Sequence, residues 1–94
     1  MPNCARDTDV NSHGGGAIIA VVSDVFVNGL KISTIIDPAK PDAKCPIPPV
    51  HCNPATIGHS PNVFANSRAV HRLGDSRVCG AVTVSGSGNV IING

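Results

Sequence analysis

The chain has no glutamate, no glutamine, no tryptophan and no tyrosine, and only two phenylalanines. Glu and Gln are good helix formers. Their absence, beside ten Gly and eight Pro, argues for short strands joined by tight turns. The scarcity of aromatics limits the core. A chain of 94 residues is one domain, residues 1–94, and one this small usually needs a disulfide, a metal or a partner to supplement its apolar burial. No apolar run reaches the roughly 18 residues a membrane helix requires. The opening "MPNCARDTDVNSHGGG" lacks the apolar segment of a signal peptide, so synthesis in the cytoplasm is expected. In that reducing compartment four cysteines read as metal ligands or free thiols rather than disulfides. The net charge is +1 and no Lys/Arg stripe alternates with aromatics, which argues against a nucleic-acid groove.

What is present is repetition. "VFVNG" (Val25–Gly29) recurs as "VFANS" (Val63–Ser67) and as "VIING" (Val90–Gly94). An Asp follows eight residues after the first two copies, at Asp37 and Asp75. Asp9, Asp37 and Asp75 each introduce a unit: Asp9 leads to His13 and Asp75 to Cys79, while Asp37 leads to Cys45 after four extra residues. Three units of roughly 30 residues imply a repeated supersecondary element. The expected strands are Ala17–Ser23, Asp24–Gly29, Pro61–Ser67, Ala81–Ser85 and Asn89–Gly94, in hairpins of about five residues a side. Asn28–Gly29 suits a two-residue hairpin turn, because both residue types tolerate positive φ. The stretch Pro38–His59 is an insertion in the second unit, too rich in proline for helix or interior strand, and it carries Cys45, His51, Cys52 and His59.

These cysteines and histidines suggest zinc, which favours four tetrahedral ligands with thiolate and imidazole among them. If the units surround a pseudo-threefold axis, His13, Cys45 and Cys79 occupy equivalent positions and converge, and His51 in the inserted loop is the natural fourth ligand. His59 is the main competitor for the fourth place, and Cys52 reads as a turn residue. Cys4 and His71 fall in a different part of the repeat and should lie elsewhere. Mixed Cys/His donors would also accept iron or cobalt. A thiol nucleophile at Cys52 with His51 or His59, or a hydrolytic zinc, is the catalytic alternative. It lacks an evident general base, and a chain this short builds no substantial cleft, so an enzyme is not expected.

The same residues resemble the PAAR-repeat proteins, the spike-tip proteins of type VI secretion systems and contractile phage tails. Segments Asn3–Asp9, Lys31–Asp37 and Ala69–Asp75 fall where the family has Pro-Ala-Ala-Arg-x-Gly-Asp. "SHGG" (Ser12–Gly15), "CP" (Cys45–Pro46) followed by His51, and "CG" (Cys79–Gly80) match its ligand segments, and Ser60–Asn66 and Gly86–Gly94 its strand-and-turn segments. The motif arginine is kept at Arg6 and Arg72 but is Thr34 in the middle unit, and the glycine before Asp is Thr8, Ile36 and Gly74. Cys52 follows His51, where the family usually has glycine.

The resemblance implies an all-β cone of three pseudo-threefold-related β-hairpin units with zinc at a stapled vertex. It implies that His13, Cys45, His51 and Cys79 hold the metal, while Asp9, Asp37 and Asp75 shape turns. It further implies a structural part rather than an enzyme: a cap, one monomer per trimer, on a trimeric β-helical spike of the VgrG or phage type, assembled at the baseplate and driven through a target membrane. Effector proteins are further partners of such tips. Phage and bacterial origins fit equally well. A free-standing zinc-binding adaptor is the alternative, with a small metallohydrolase behind it.

Overall fold

The computed structural model describes residues 2–46 and 49–92, with the side chain of Val50 outside the description. The last two residues of the third repeat, Asn93 and Gly94, therefore lie outside it, as do Ile47 and Pro48 of the insertion. Regular structure is sparse. Strands β1 (Phe26–Val27) and β2 (Leu30–Lys31) form one antiparallel hairpin, and β3 (Phe64–Ala65) and β4 (Arg68–Ala69) another. The only helix among the described residues is a 3₁₀ turn at Pro49–Cys52, so none is long and apolar enough to cross a membrane. The molecule is a small β-rich body of 34 × 24 × 21 Å.

The first hairpin turns as the sequence predicts, and the second turns the same way. Asn28 and Gly29 take φ of 54° and 81°, and Asn66 and Ser67 take 51° and 67°, the positive pair that matches strand twist in a two-residue connection. The paired stretches are two residues a side rather than five. The expected strand over residues 17–23 is reduced to a single bridge, Ile18 with Ala39, and that over 81–85 to bridges at Val82 and Thr83. Along residues 17–20 each group finds a different neighbour. The Ile18 N–H donates to Asp9, that of Ile19 to Pro38, and that of Ala20 to the Asp7 carboxylate. Prolines at 38 and 41 on the facing segment have no N–H to extend a ladder.

Long-range backbone bonds replace long strands. The Ala5 N–H donates to the His71 carbonyl, the His71 N–H to Ser33, and the Ser33 N–H back to Ala5, at 3.2, 3.0 and 3.1 Å. A second set runs the opposite way round: Asp7 donates to Lys31, Ile35 to Ala69, and Leu73 to Asn3. The end of the chain pairs with its beginning. Cys4 donates to Val90 and Ile92 to Pro2, each at 2.8 Å, and Asn3 bridges Ile91. The partner of the third "V-[FI]-x-N" segment is thus the N-terminal segment.

Val22, Val27, Ile32, Ala65, Val70, Ile92 and Cys4 form the apolar cluster, with Val25, Val63 and Val90 packed against it. These are small side chains, as the composition requires. Large polar groups fill much of the remaining interior, among them Arg77, His71, Asn11 and Asp37. Burying such groups is tolerable only when they are hydrogen-bonded. Among the described residues every buried side-chain nitrogen and oxygen has a partner.

The three repeated aspartates show how this is done. The Asp9 carboxylate accepts the Arg6 N–H at 2.7 Å, Asp37 that of Thr34 at 2.8 Å, and Asp75 that of Arg72 at 2.9 Å. Arg6 and Arg72 also pair with the aspartate of their own turn. In the middle turn the arginine is Thr34, and Arg68 on β4 takes its place. Its guanidinium donates to the Thr34 hydroxyl at 2.9 Å and to the Ile35 carbonyl, and lies 3.8 Å from Asp37.

Candidate metal centre

Three turns of one design build the site. Gly14 N–H donates to the Asn11 carbonyl, Cys45 N–H to Asp42, and Gly80 N–H to Arg77. In the first two the side chain of the leading residue also caps its turn. Asn11 Oδ1 accepts the His13 N–H at 3.0 Å, and Asp42 Oδ1 the Lys44 N–H at 2.9 Å. Asx side chains favour this local bond. The third position of the turn is His13 in the first copy and Cys79 in the last, but Lys44 in the middle one. Cys45 stands one position later, level with Gly14 and Gly80.

That offset explains where Cys45 goes. Expected as a ligand, it is instead bonded to Cys52 in a disulfide, with Cα atoms 4.9 Å apart. The expectation that the cysteines remain thiols or ligands holds only for Cys4 and Cys79. The middle turn contributes its leading residue, Asp42. Four donor atoms, from His13, Asp42, His51 and Cys79, lie within 4.8 Å of one another.

Five of the six separations among these donors are close to those of a coordination shell. His13 Nδ1 is 3.3 Å from His51 Nδ1 and 3.5 Å from Asp42 Oδ2, and His51 Nδ1 is 3.2 Å from the same oxygen. Cys79 Sγ is 3.8 Å from His13 Nδ1 and 3.6 Å from Asp42 Oδ2. A tetrahedral zinc with bonds of roughly 2.0–2.3 Å separates its ligand atoms by roughly 3.3–3.8 Å. Asp42 Oδ2 also accepts from Asn11 Nδ2 at 3.1 Å, so two imidazole nitrogens, a thiol and an amide all converge on one carboxylate oxygen. Two ring nitrogens facing each other can share only one proton, whereas a cation satisfies all four donors together.

The surroundings favour an anionic Asp42. Burial opposes its ionisation. The Lys44 N–H, the His51 ring and the Asn11 amide outweigh that, with help from the positive charge of His51, and hold the carboxyl at about 2. Asn11 thereby orients one ligand through its amide and the backbone of another, His13, through its carbonyl oxygen, the usual task of groups just outside a metal's ligands. The ligand arms of the insertion are tied together, since the Asp42 N–H donates to the His51 carbonyl at 2.9 Å.

The remaining candidates lie elsewhere. His59 directs Nδ1 at the Ser60 carbonyl and is not in the group. Cys4 is in the apolar cluster, where burial, with the Asp9 charge adding to it, pushes its thiol up to about 11. His71 is fully buried between the Gly58 carbonyl and the Thr83 hydroxyl, each at 2.6 Å. Asp42 is the ligand candidate that sequence reasoning missed. A signal existed: it is the only carboxylate between Pro38 and His59 after the unit's own Asp37, and zinc accepts carboxylate oxygen.

Beneath the site Arg77 is only 1% exposed. Its guanidinium donates to the Gly16, Pro54 and Asp9 carbonyls and to the Thr83 hydroxyl. Burial lowers its pKa, against the nearby charges of Cys79, Asp42 and Asp9, which favour the cation. It fastens three separate stretches of chain behind the ligands.

No family model matches the chain, and the search of curated proteins finds no match.

Proposed function

We propose that the protein is a metal-stapled tip of the PAAR-repeat kind, a pseudo-threefold cone that caps a trimeric β-helical spike, with zinc held by His13, Asp42, His51 and Cys79. The observation that carries the reading is the closed circuit of backbone bonds through Ala5, Ser33 and His71. Three segments that each donate to the next and return to the first make a unit suited to a threefold partner. Each arm of the circuit bears one large apolar side chain in the same pairing register. These are Phe26 opposite Lys31, Phe64 opposite Ala69, and Ile91 opposite Asn3. They are 58%, 60% and 55% exposed. A small domain with few aromatics that leaves both its phenylalanines in water has a surface meant to be covered. A trimeric β-helix ends in three strand edges that need covering, and one such domain can meet all three.

Zinc in this reading supplies order where the chain has no apolar core, and four protein donors leave no coordination position for a substrate. The reading predicts a complex of one chain with one spike trimer. Native mass spectrometry of the protein mixed with a trimeric β-helical spike is the test. Phe26→Asp and Phe64→Asp should each weaken the complex by tenfold or more, while leaving the metal bound. A partner of another symmetry would favour the adaptor, and full binding by the double variant would refute the proposed base.

A further inference from the structure

The metal ligands of the inserted loop flank its disulfide. Asp42 precedes Cys45 by three residues, and His51 immediately precedes Cys52. Between the two cysteines, seven positions apart, the chain makes its 3₁₀ turn, whose third residue is His51. The Asp42–Cys45 turn is closed by its own backbone bond, and the Asp42 N–H is tied to the His51 carbonyl. The bridge therefore closes a ring that holds His51 beside one cysteine and begins three residues after Asp42, so it fixes the two donors of the insertion relative to each other. The other two, His13 and Cys79, come from turns without any such tie. Nothing in the metal reading itself requires the bridge, since neither sulfur is among the four donors.

We infer that the Cys45–Cys52 disulfide is a redox latch on the metal centre, holding Asp42 and His51 in register when formed and loosening the metal when reduced. The inference rests on the metal reading above. A bound ion needs both arms of the loop at once. Opening the ring returns conformational freedom to the metal-free loop, and that freedom must be lost again on binding. The weakening is expected to be roughly tenfold, within the range that closing a short ring can contribute. Linkage makes the effect mutual: a metal that grips both arms protects the disulfide by the same factor.

The chemistry is thiol–disulfide exchange with a small dithiol as reductant. One thiolate of the reagent attacks a sulfur of the bridge, forming a mixed disulfide and freeing one cysteine. Its second thiolate then closes a cyclic disulfide and frees the other. Two electrons pass from the reagent, and Cys45 and Cys52 each end with a proton. The tip would hold its metal firmly in oxidising surroundings and yield it more readily in a reducing interior.

The test is a cobalt(II) titration against a competing chelator, read from the thiolate-to-cobalt absorption that Cys79 supplies. The samples, all free of dithiol during the titration and kept without oxygen, are the oxidised protein, the protein reduced with a dithiol that is then removed, and Cys45→Ser/Cys52→Ser. The oxidised protein should bind roughly tenfold more tightly than the other two, which should agree. Equal affinity in all three overturns the latch and leaves the metal centre standing. Tighter binding by the reduced protein also overturns it, because a freed thiolate has then joined the ligands. No cobalt band in the oxidised protein overturns the metal reading and the latch together. A second measurement needs no variant: with zinc activity held by a metal buffer, the free dithiol concentration that half-reduces the bridge, corrected for zinc-bound dithiol, should rise roughly tenfold when zinc saturates the site. An unchanged concentration overturns the latch.

Discussion

The three residues that precede the repeated aspartates share one backbone conformation but not one residue type. Thr8, Ile36 and Gly74 have φ of 72°, 57° and 87°. Each donates its N–H across to a neighbouring segment, to Ile18, Thr56 and Thr83 respectively, at 2.9, 2.7 and 2.8 Å. Left-handed backbone costs a side-chain-bearing residue about 1–2 kcal/mol, and β-branched residues such as threonine are poor at it. Replacing one with glycine removes that cost but adds about 0.5–1 kcal/mol of freedom to the unfolded chain. Thr8 is exposed, and among the described residues its hydroxyl makes no hydrogen bond, so little else changes. Thr8→Gly should therefore stabilise the protein by about 1 kcal/mol. The reverse experiment is clean at Gly74, where an added Cβ would meet no atom within 4 Å. Gly74→Ala should destabilise by about 1 kcal/mol through backbone conformation alone. For a domain of this size each change corresponds to about 4–8 °C in melting temperature. Thermal melts at saturating zinc, with urea titrations to obtain free energies, would read both. Loss of stability in Thr8→Gly, or none in Gly74→Ala, would refute the claim that the turn selects for glycine.

Elemental analysis should find one zinc per chain, lost in His13→Ala, Asp42→Ala, His51→Ala and Cys79→Ala and retained in Cys45→Ser/Cys52→Ser. Retention by Asp42→Ala would remove the aspartate from the ligand set. Chelator should lower the melting temperature of the wild type by far more than that of Asp42→Ala. His71 makes folding sensitive to acid. Its partners fix the neutral form: Nδ1–H donates to the Gly58 carbonyl, and Nε2 accepts from the Thr83 hydroxyl, which itself accepts from Arg77. Burial is the main cause of its depressed pKa of about 4, partly offset by the Gly58 carbonyl and the charge of Asp75. A folded pKa below the unfolded value means that the stability is present above about pH 6.5 and is lost as pH falls toward 4, by about 2 kcal/mol at pH 5. NMR of the imidazole should show His71 still neutral at pH 5, and titration near 6.5 would contradict the buried relay.

Much of the fold was legible in local patterns. The Asn-Gly turn follows from residues that tolerate positive φ, and Asp9, Asp37 and Asp75 cap their turns because a short carboxylate can reach a backbone N–H three residues back; the Asn-Ser turn, with Ser67 at positive φ, was not legible in the same way. His13 and Cys79 were legible as convergent because the repeats carry donors at matched positions, and His51 was legible as the donor that the inserted loop adds. The fourth donor was not. A spacing count aligned Cys45 with His13 and Cys79, but the insertion shifts the frame, and only the hydrogen bond closing the turn reveals that Lys44 occupies that place. Freed from the ligand role, Cys45 meets Cys52, and Asp42 turns inward.

What the sequence by itself determined is therefore the local chemistry: turn residues, the thin apolar core, the absence of long helices, and a supply of soft and hard metal donors. Only the tertiary structure decided which distant groups answer one another. The chain's end pairs with its start, Arg68 replaces an arginine missing from another turn, and Arg77 is fastened by carbonyls from three stretches of chain. The physical reason is range. A turn is governed by the conformational preferences of a few adjacent residues. The partners of a buried charge or a metal are set by loop closure and by the requirement that every desolvated polar group be satisfied, and that is a property of the assembled whole.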